Sequence, residues 1–380
     1  MTTDNEKTKR GLRYTRVVVK VGTNLLTGGT GKLDLERMAS LVTQLARLRN
    51  SGVGVVLVSS GAVAAGRHTL SIAGTHSTTL KQVLASIGQS RLMQSYEQLF
   101  GWQNVIVAQI LLTRADISDR LAYLNVRNTF NALLDLGVLP IVNENDAVAV
   151  EELSSSIIGD NDNLSAMVAT LLDADLLVIL SDVDGFYTAD PRKDSSARLI
   201  PRVDKIDDLV ESMASTTLSK NAVGGMITKI EGAKLATVAG VDVIITDGRK
   251  PNVLDDIMSG KQVGTLFKAQ GTRLESRKRW FMSGLSNKGT IVVDDGAAKA
   301  IGAQNKSLLP AGVKDVRGDF ARGDIVSIVS VAGKKLAAGI SNYSAAELKT
   351  IKGAKSADIA TLLGHEYGDE AVHRNNMVAL

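Results

Sequence analysis

Short apolar runs alternate with longer stretches of helical period through the first two-thirds of the chain. Residues 16–21 (RVVVKV) are a β-branched run interrupted by Lys20, which predicts a strand buried on both faces. Residues 33–49 set Leu35, Met38, Leu41, Val42, Leu45 and Leu48 on one helical face, and Gly52 falls just beyond, where C-cap glycines occur. A second buried strand is expected at 53–60, running straight into Gly61. The helix predicted at 80–100 contains Gly88, which costs about 1 kcal/mol against Ala mid-helix, so close packing or a ligand is expected there. The pattern continues as strand 105–112, turn 113–116, helix 123–136, strand 138–142, helix 164–172, strand 175–180, helix 230–239 and strand 241–246. Such alternation predicts an α/β fold: a doubly wound, mostly parallel open sheet with helices on both faces.

The last third reads differently. Residues 268–285 are charged and weakly patterned, as a linker would be. Short strands at 290–293, 324–331 and 336–340 lie among Gly312, Gly318, Gly323 and Gly333, which predicts a small β-rich domain. The expected division is therefore residues 1–267 as the α/β domain, 268–285 as linker, 286–366 as the β-rich domain and 367–380 as a C-terminal tail.

Composition narrows the chemistry. At 380 residues, 44% hydrophobic and 22% charged, the chain has room for two globular domains. A formal charge of +4 suits phosphorylated substrates but is too small to announce nucleic-acid binding. With no cysteine, disulfides, thiolate catalysis and Cys-ligated zinc are excluded. None of the four histidines stands at H-E-x-x-H spacing. The first residues lack an apolar h-region and no apolar run approaches the roughly 20 residues a membrane helix needs, so a soluble, cytoplasmic protein with no membrane association is expected.

Candidate chemistry gathers where strands end. After strand 138–142 come Asn143-Glu144-Asn145-Asp146 and then Gly159-Asp160-Asn161-Asp162-Asn163, two clusters of carboxylates and amides. In an open α/β sheet, ligands bind outside the carboxyl ends of the strands. The same residue types also suit turns and helix caps, and Asn163 could be such a cap. Lys20, beside Gly22, could aim an ammonium into a cleft or merely snorkel from a strand end. Ser60-Gly61 sets backbone N–H groups and a hydroxyl at a helix start, a natural anion seat, and Gly224-Gly225 followed by Lys229 does the same. Ser181 and Asp182, at the end of strand 175–180, suit a ribose or adenine edge. No G-x-x-x-x-G-K-[ST] phosphate loop exists anywhere in the chain.

The runs VVVKVGTN, VSSGAVAAGR, GQSRL, LLTRAD, IVNENDAVA, IGDNDNLSA, SDVDGFYTADPR, GGMITK and VGTLF, in that order, resemble the amino-acid kinase family, and in particular its glutamate-phosphorylating members. The tail, with SLLPAGV, RGD and GISNYS, resembles a PUA domain. The resemblance implies ATP-dependent phosphorylation of the side-chain carboxylate of L-glutamate, the first step of proline biosynthesis, with ATP and Mg²⁺. It makes Lys20 and Lys229 the phosphate-contacting cations, with Asp162 orienting both. It implies that Ser60, Gly61, Asp146, Asp160 and Asn161 surround glutamate. ATP would lie against Lys20, Ser181, Asp182 and the turn Val223, Gly224, Gly225, Met226, Ile227, Thr228 and Lys229. Val223 and Ile227 stand where the family commonly carries small hydroxyl residues, which puts side-chain contacts there in question but leaves the backbone N–H groups. Proline as feedback inhibitor and a homo-oligomer, a tetramer built through the kinase domain, are also implied.

The chemistry fits those residue types. A glutamate carboxylate, with a pKa of about 4.3, is already an ionised nucleophile near pH 7, so no general base is required. The obstacle is its repulsion by the polyphosphate, which positioning and facing positive charge overcome. Mg²⁺ binds largely through phosphates and water, so no protein ligand for it is assigned. A kinase of the same fold acting on acetylglutamate or aspartate is the nearest alternative, and NENDAVA with the PUA-like tail argues against it. RNA binding by that tail is a further alternative; Lys314, Arg317 and Arg322 favour it, but Asp294, Asp295, Asp315, Asp319 and Asp324 interleave with them, which favours a structural or regulatory module.

Overall fold

The structure, a computed structural model, describes residues 13–72, 77–148, 161–216, 225–271, 288–304 and 306–379. They fall into two compact units, one comprising Met1–Asp116 with Thr129–Thr272 and the other Ile117–Asn128 with Arg273–Leu380.

The first unit opens with β1 (Arg16–Val21), α1 (Thr23–Thr27), α2 (Leu35–Asn50), β2 (Gly54–Ser59), α3 (Ala62–Leu70), α4 (Thr78–Gly101) and β3 (Val107–Leu112). After α5 (Arg114–Ser118) and α6 (Arg120–Asp135) come β4 (Leu139–Glu144), α7 (Asn161–Leu171), β5 (Leu176–Ser181), β6 (Arg202–Val203), α8 (Asp208–Thr216), α9 (Met226–Val238), β7 (Asp242–Asp247), α10 (Val253–Met258) and β8 (Thr265–Phe267). The eight-stranded sheet runs β3-β4-β2-β1-β5-β7-β8-β6. Strands β3 to β7 pair in parallel, and the mostly parallel sheet expected from the sequence is present; β8 turns antiparallel to β7. The chain winds outward from β1 through β2 and then returns to lay β5 on the other side of β1. That reversal is the topological switch point, where α/β sheets open a crevice at the strands' carboxyl ends.

Alternation along the strands assigns side chains to faces. Val17, Val19 and Val21 of β1, Val55 and Leu57 of β2, and Leu139 and Ile141 of β4 share one core with α2, α4 and α10. Val18 and Lys20 therefore project to the opposite face. Helices α3 and α4 cross where neither carries a side chain: a Cβ on Gly88 would stand 1.8 Å from the Ala62 carbonyl oxygen, and one on Gly66 would stand 1.9 Å from that of Leu84. The mid-helix Gly88 thus serves close packing. The predicted turn at 113–116 is instead the start of α5, because Asp116 Oδ2 accepts from both the amide and the hydroxyl of Thr113, each at 2.7 Å. Lys268 and Ala269, expected in the linker, are tied to Asp242 at 2.8 and 2.9 Å; residues 272–287 lie outside the described residues.

The second unit contains β9 (Gly289–Val293), α11 (Asp295–Gln304), β10 (Val313–Gly318), β11 (Ile325–Ser330), β12 (Lys335–Ile340), α12 (Ala345–Ile351), α13 (Ile359–Leu363) and β13 (Met377–Ala379). Its sheet order is β10-β9-β11-β12-β13, antiparallel except between β9 and β11. Met377–Ala379, within the stretch expected as a tail, pairs with β12. Ile117–Asn128, counted above within the α/β domain, belongs to this unit because Leu124 is buried with Ile325, Ile340 and Val378. A capping box starts α12: Ser344 and Glu347 each bond the other's backbone amide.

Candidate active site

Lys20 is the next-to-last residue of β1, opposite Val58 of β2 and Ile179 of β5, so it stands at the switch point. Its parity carries it to the face away from α2 and α4, and there its Nζ meets Asp162 Oδ1 of α7 at 2.6 Å. Lys229, in the first turn of α9, reaches the other oxygen, Oδ2, at 3.4 Å. The Thr228 hydroxyl donates to the same Oδ2 at 3.1 Å. Lys20 and Asp162 are 2% and 0% exposed, so one buried carboxylate stands between two ammonium groups that are 209 residues apart in the chain (229 − 20). Close approach of α9 to α7 makes this possible: Gly232 lies so near that a Cβ on it would stand 3.0 Å from the Asp162 carbonyl oxygen.

Burying three ions is costly, and the effective penalty is several kcal/mol each. Asp162 offsets it for both lysines at the carboxyl ends of β1 and β5. The two Asp162 oxygens face Lys20 on one side and Lys229 with Thr228 on the other. The cluster is an anion-attracting one.

Beside it, Asn161 forms a second centre. Its amide nitrogen lies 2.5 Å from the Ser59 carbonyl oxygen, 3.0 Å from Ser60 Oγ and 2.9 Å from Asn143 Oδ1. The nitrogen end is thereby committed to the ends of β2 and β4, and the amide oxygen is the end left to accept from a ligand. Asn143 Nδ2 in turn donates to Gln89 Oε1 at 2.8 Å, while its Oδ1 also accepts the Glu144 amide at 2.9 Å. Ser60 Oγ accepts from Asn161, so its own hydroxyl proton is available to a carboxylate. Gly61, at φ 103°, caps α3 with no side-chain bond to the helix's first N–H groups. Asp146 sits half-buried in the turn after β4.

On the other side of β1, Ser181 ends β5 buried, and its hydroxyl donates to Asp182 Oδ1 at 3.3 Å. Asp182 itself is exposed. The Arg249 guanidinium reaches the Asp182 carbonyl oxygen at 2.9 Å and also grips Asp247 at 2.7 Å. Burial pushes the Asp247 carboxyl up, but the Arg249 side chain and amide outweigh it and hold it below the usual carboxylate range. Gly225 caps α9 with no side-chain bond, and Met226 and Ile227 follow half-buried in the first turn. Asp160, Val223 and Gly224 lie outside the described residues.

Of the residues singled out in the sequence, Lys20, Lys229, Asp162 and Thr228 meet in one cluster, and Ser60 and Asn161 in the next. The two are joined because Asn161 and Asp162 are neighbours at the start of α7. Ser181 and Asp182, expected on the nucleotide side, form no hydrogen bond to either cluster among the described residues. Sequence reasoning set Asn143 in the first polar cluster without giving it a role, and passed over Gln89 and Arg249. The signal for Asn143 was present: it follows Leu139 and Ile141 at period two on an otherwise buried strand. Gln89 and Arg249 gave no such signal, since each acts across a long-range contact. Among the described residues no group of three or more His, Asp or Glu could hold a metal ion.

Comparison with known proteins gives consistent findings. The amino acid kinase family model matches residues 15–247, and the PUA domain model matches residues 289–363. A glutamate 5-kinase of Dehalococcoides mccartyi is 51% identical over 368 residues, covering 97% of this chain and 99% of the relative. One of Herpetosiphon aurantiacus is 50% identical over 367 residues, 96% of this chain and 98% of its own. One of Haemophilus influenzae is 48% identical over 366 residues, with the same coverage of 96% and 98%.

Proposed function

The chain belongs to the amino acid kinase family, to its glutamate 5-kinase branch, and from that premise we propose which residues transfer the γ-phosphoryl group of ATP to the side-chain carboxylate of L-glutamate. The observation that carries the assignment is the convergence of Lys20 and Lys229 on the two oxygens of Asp162. The two ammonium groups flank the transferring phosphoryl and neutralise the charge that grows on the leaving oxygen. Preorganised charge of this kind is usually the largest catalytic contribution.

A glutamate carboxylate oxygen attacks the γ-phosphorus, the bond to the β,γ-bridging oxygen breaks, and ADP departs with that electron pair. No proton moves at neutral pH, because the attacking carboxylate is already ionised. The Asn161 amide oxygen and the Asp146 carboxylate receive the substrate ammonium, and the Ser60 hydroxyl and the N–H groups at Gly61 receive a carboxylate. Gly225 to Lys229 hold the β- and γ-phosphates, and Ser181 with Asp182 holds the nucleoside end. The lysine cluster fits a nucleotide that brings Mg²⁺ on its own phosphates, where the ion would shield their charge. Asp160, Val223 and Gly224 complete the two subsites on the same reading.

Incubation with ATP, Mg²⁺, glutamate and hydroxylamine tests the reaction, because an acyl phosphate is trapped as the glutamyl hydroxamate. ATP hydrolysis without hydroxamate would refute it. We carry three further elements with the reading. Proline acts as a feedback inhibitor at or beside the glutamate subsite, tested by competition against glutamate. The enzyme assembles as a tetramer, tested by sedimentation, and works in the cytoplasm as a biosynthetic enzyme. Among the described residues no helix is long and apolar enough to cross a membrane.

For the PUA-matched unit we favour a structural or regulatory role over RNA binding. Three of its basic groups are engaged: Arg317 with Asp315 at 3.0 Å, Lys288 with Asp324 at 3.1 Å, and Arg322 over the Tyr367 ring at 3.8 Å. A salt-dependent RNA shift by the full-length chain would overturn that choice.

A further inference from the structure

Helix α4 contributes nothing to the two clusters directly, yet two of its side chains end on the residues that hold Asn161. Strand parity explains why. Ser59 and Asn143 lie two residues beyond Leu57 and Ile141, which pair across β2 and β4 and face the core that α4 completes. Gln89 and Tyr96 are seven residues apart on α4 and so share one helical face. Gln89 Oε1 takes the Asn143 Nδ2 proton at 2.8 Å, and Tyr96 OH lies 2.9 Å from Ser59 Oγ. Ser59 spends its single hydroxyl proton on the Ser60 carbonyl oxygen at 3.0 Å, so Tyr96 is the donor in the second contact.

Two backbone groups set the polarity of this network: the Glu144 amide donates to Asn143 Oδ1, and the Ser59 carbonyl oxygen accepts from Asn161 Nδ2. Asn161 therefore presents its oxygen to the ligand, and Asn143 turns its nitrogen toward Gln89. From α4, Gln89 and Tyr96 hold Asn143 and Ser59 where those bonds need them. The α3–α4 crossing at Gly66 and Gly88 sets the depth of the helix, and Gly88 is the residue adjoining Gln89.

We propose that Gln89 and Tyr96 are positioning residues for the acceptor subsite: they hold Asn143 and Ser59, and so the place of the Asn161 carboxamide, and through it the affinity for the substrate ammonium. The proposal rests on the assignment of Asn161 to glutamate made above. It carries no claim on the nucleotide subsite, which is built on α9 and β5.

The test is steady-state kinetics of the full-length enzyme with glutamate and ATP varied separately. Gln89→Met removes the acceptor at nearly constant volume, whereas Gln89→Glu keeps an acceptor oxygen. Gln89→Met is expected to raise the glutamate KM about tenfold, the size of one lost buried hydrogen bond, with the ATP KM within twofold of wild type. Gln89→Glu is expected to recover most of that loss. Tyr96→Phe, which leaves the helix core intact, is expected to raise the glutamate KM several-fold in the same selective way. An unchanged glutamate KM in both Gln89→Met and Tyr96→Phe, or equal changes in both KM values with no recovery in Gln89→Glu, would overturn the proposal. Asn161→Ala run in parallel separates the two layers: if it leaves the glutamate KM unchanged, the subsite assignment itself fails. If it raises that KM while the α4 variants do not, only the positioning role is lost.

Discussion

Replacing Asp162 with Asn keeps the shape of the side chain and removes its charge. In the structure the carboxylate lies 2.6 Å from Lys20 Nζ and 3.4 Å from Lys229 Nζ, and an effective dielectric of about 20 gives gross attractions of about 6 and about 5 kcal/mol. Desolvation of three ions consumes much of that, but the substitution removes the attraction and leaves the desolvation of both lysines in place. Breaking a buried pair by removing one partner costs about 3–5 kcal/mol. For a domain of this size that is a fall in Tm of roughly 6–20 °C, at about 2–4 °C per kcal/mol.

The variant can relieve the strain by shedding a proton from one ammonium, which is what burial without a counter-ion favours. The free enzyme then meets ATP with one cation instead of two. We expect kcat/KM for ATP, which reports the free enzyme, to fall about 10²- to 10³-fold at pH 8, the scale of a lost transition-state donor. Because a lysine with a depressed pKa is charged below that pKa, lowering the pH to 6 restores part of the loss in the variant. Wild type shows no such recovery. The assays are differential scanning calorimetry and coupled ADP release across pH 6–9. A variant within threefold of wild type at every pH, with an unchanged Tm, refutes the reasoning that Asp162 sustains both charges.

Three other perturbations follow from named contacts. Lys20→Ala and Lys229→Ala should each lower kcat about 10²-fold or more while changing the ATP KM far less; unchanged turnover in either removes that lysine from the mechanism. Asp146→Ala should chiefly raise the glutamate KM, and an unaffected value puts the substrate ammonium elsewhere. In the second unit, burial first and the neighbouring Asp369 next raise the Glu370 pKa in the folded state. The folded state therefore holds this proton more tightly than the unfolded one, and stability drops as pH rises from the unfolded value through the folded one. Glu370→Gln should accordingly raise Tm at pH 7, and the gain should vanish below about pH 4, where Glu is protonated even in the unfolded chain; a pH-independent difference counts against the assignment.

The sequence by itself determined the secondary structure of the parallel sheet and singled out the charges that meet at its carboxyl edge. A β-branched run fills both faces of a buried strand, so β1 was legible to the residue, and a lysine inside such a run stands out because its ammonium must find a partner or a ligand. The resemblance to the amino-acid kinases pointed to Asp162 as that partner. The sequence could not show that Asn143 faces Gln89, that Tyr96 supplies the proton to Ser59, or that Arg249 holds the Asp182 carbonyl. Each of those contacts depends on which strands lie side by side and how deeply a helix sits, as Gly66 and Gly88 allow for α4. Likewise Ile117–Asn128 and Met377–Ala379 joined the second unit only through contacts with β11 and β12. Local pattern fixes a residue's element and face because sterics and periodicity act over a few positions; partners across the sheet are chosen by packing, which no local window contains.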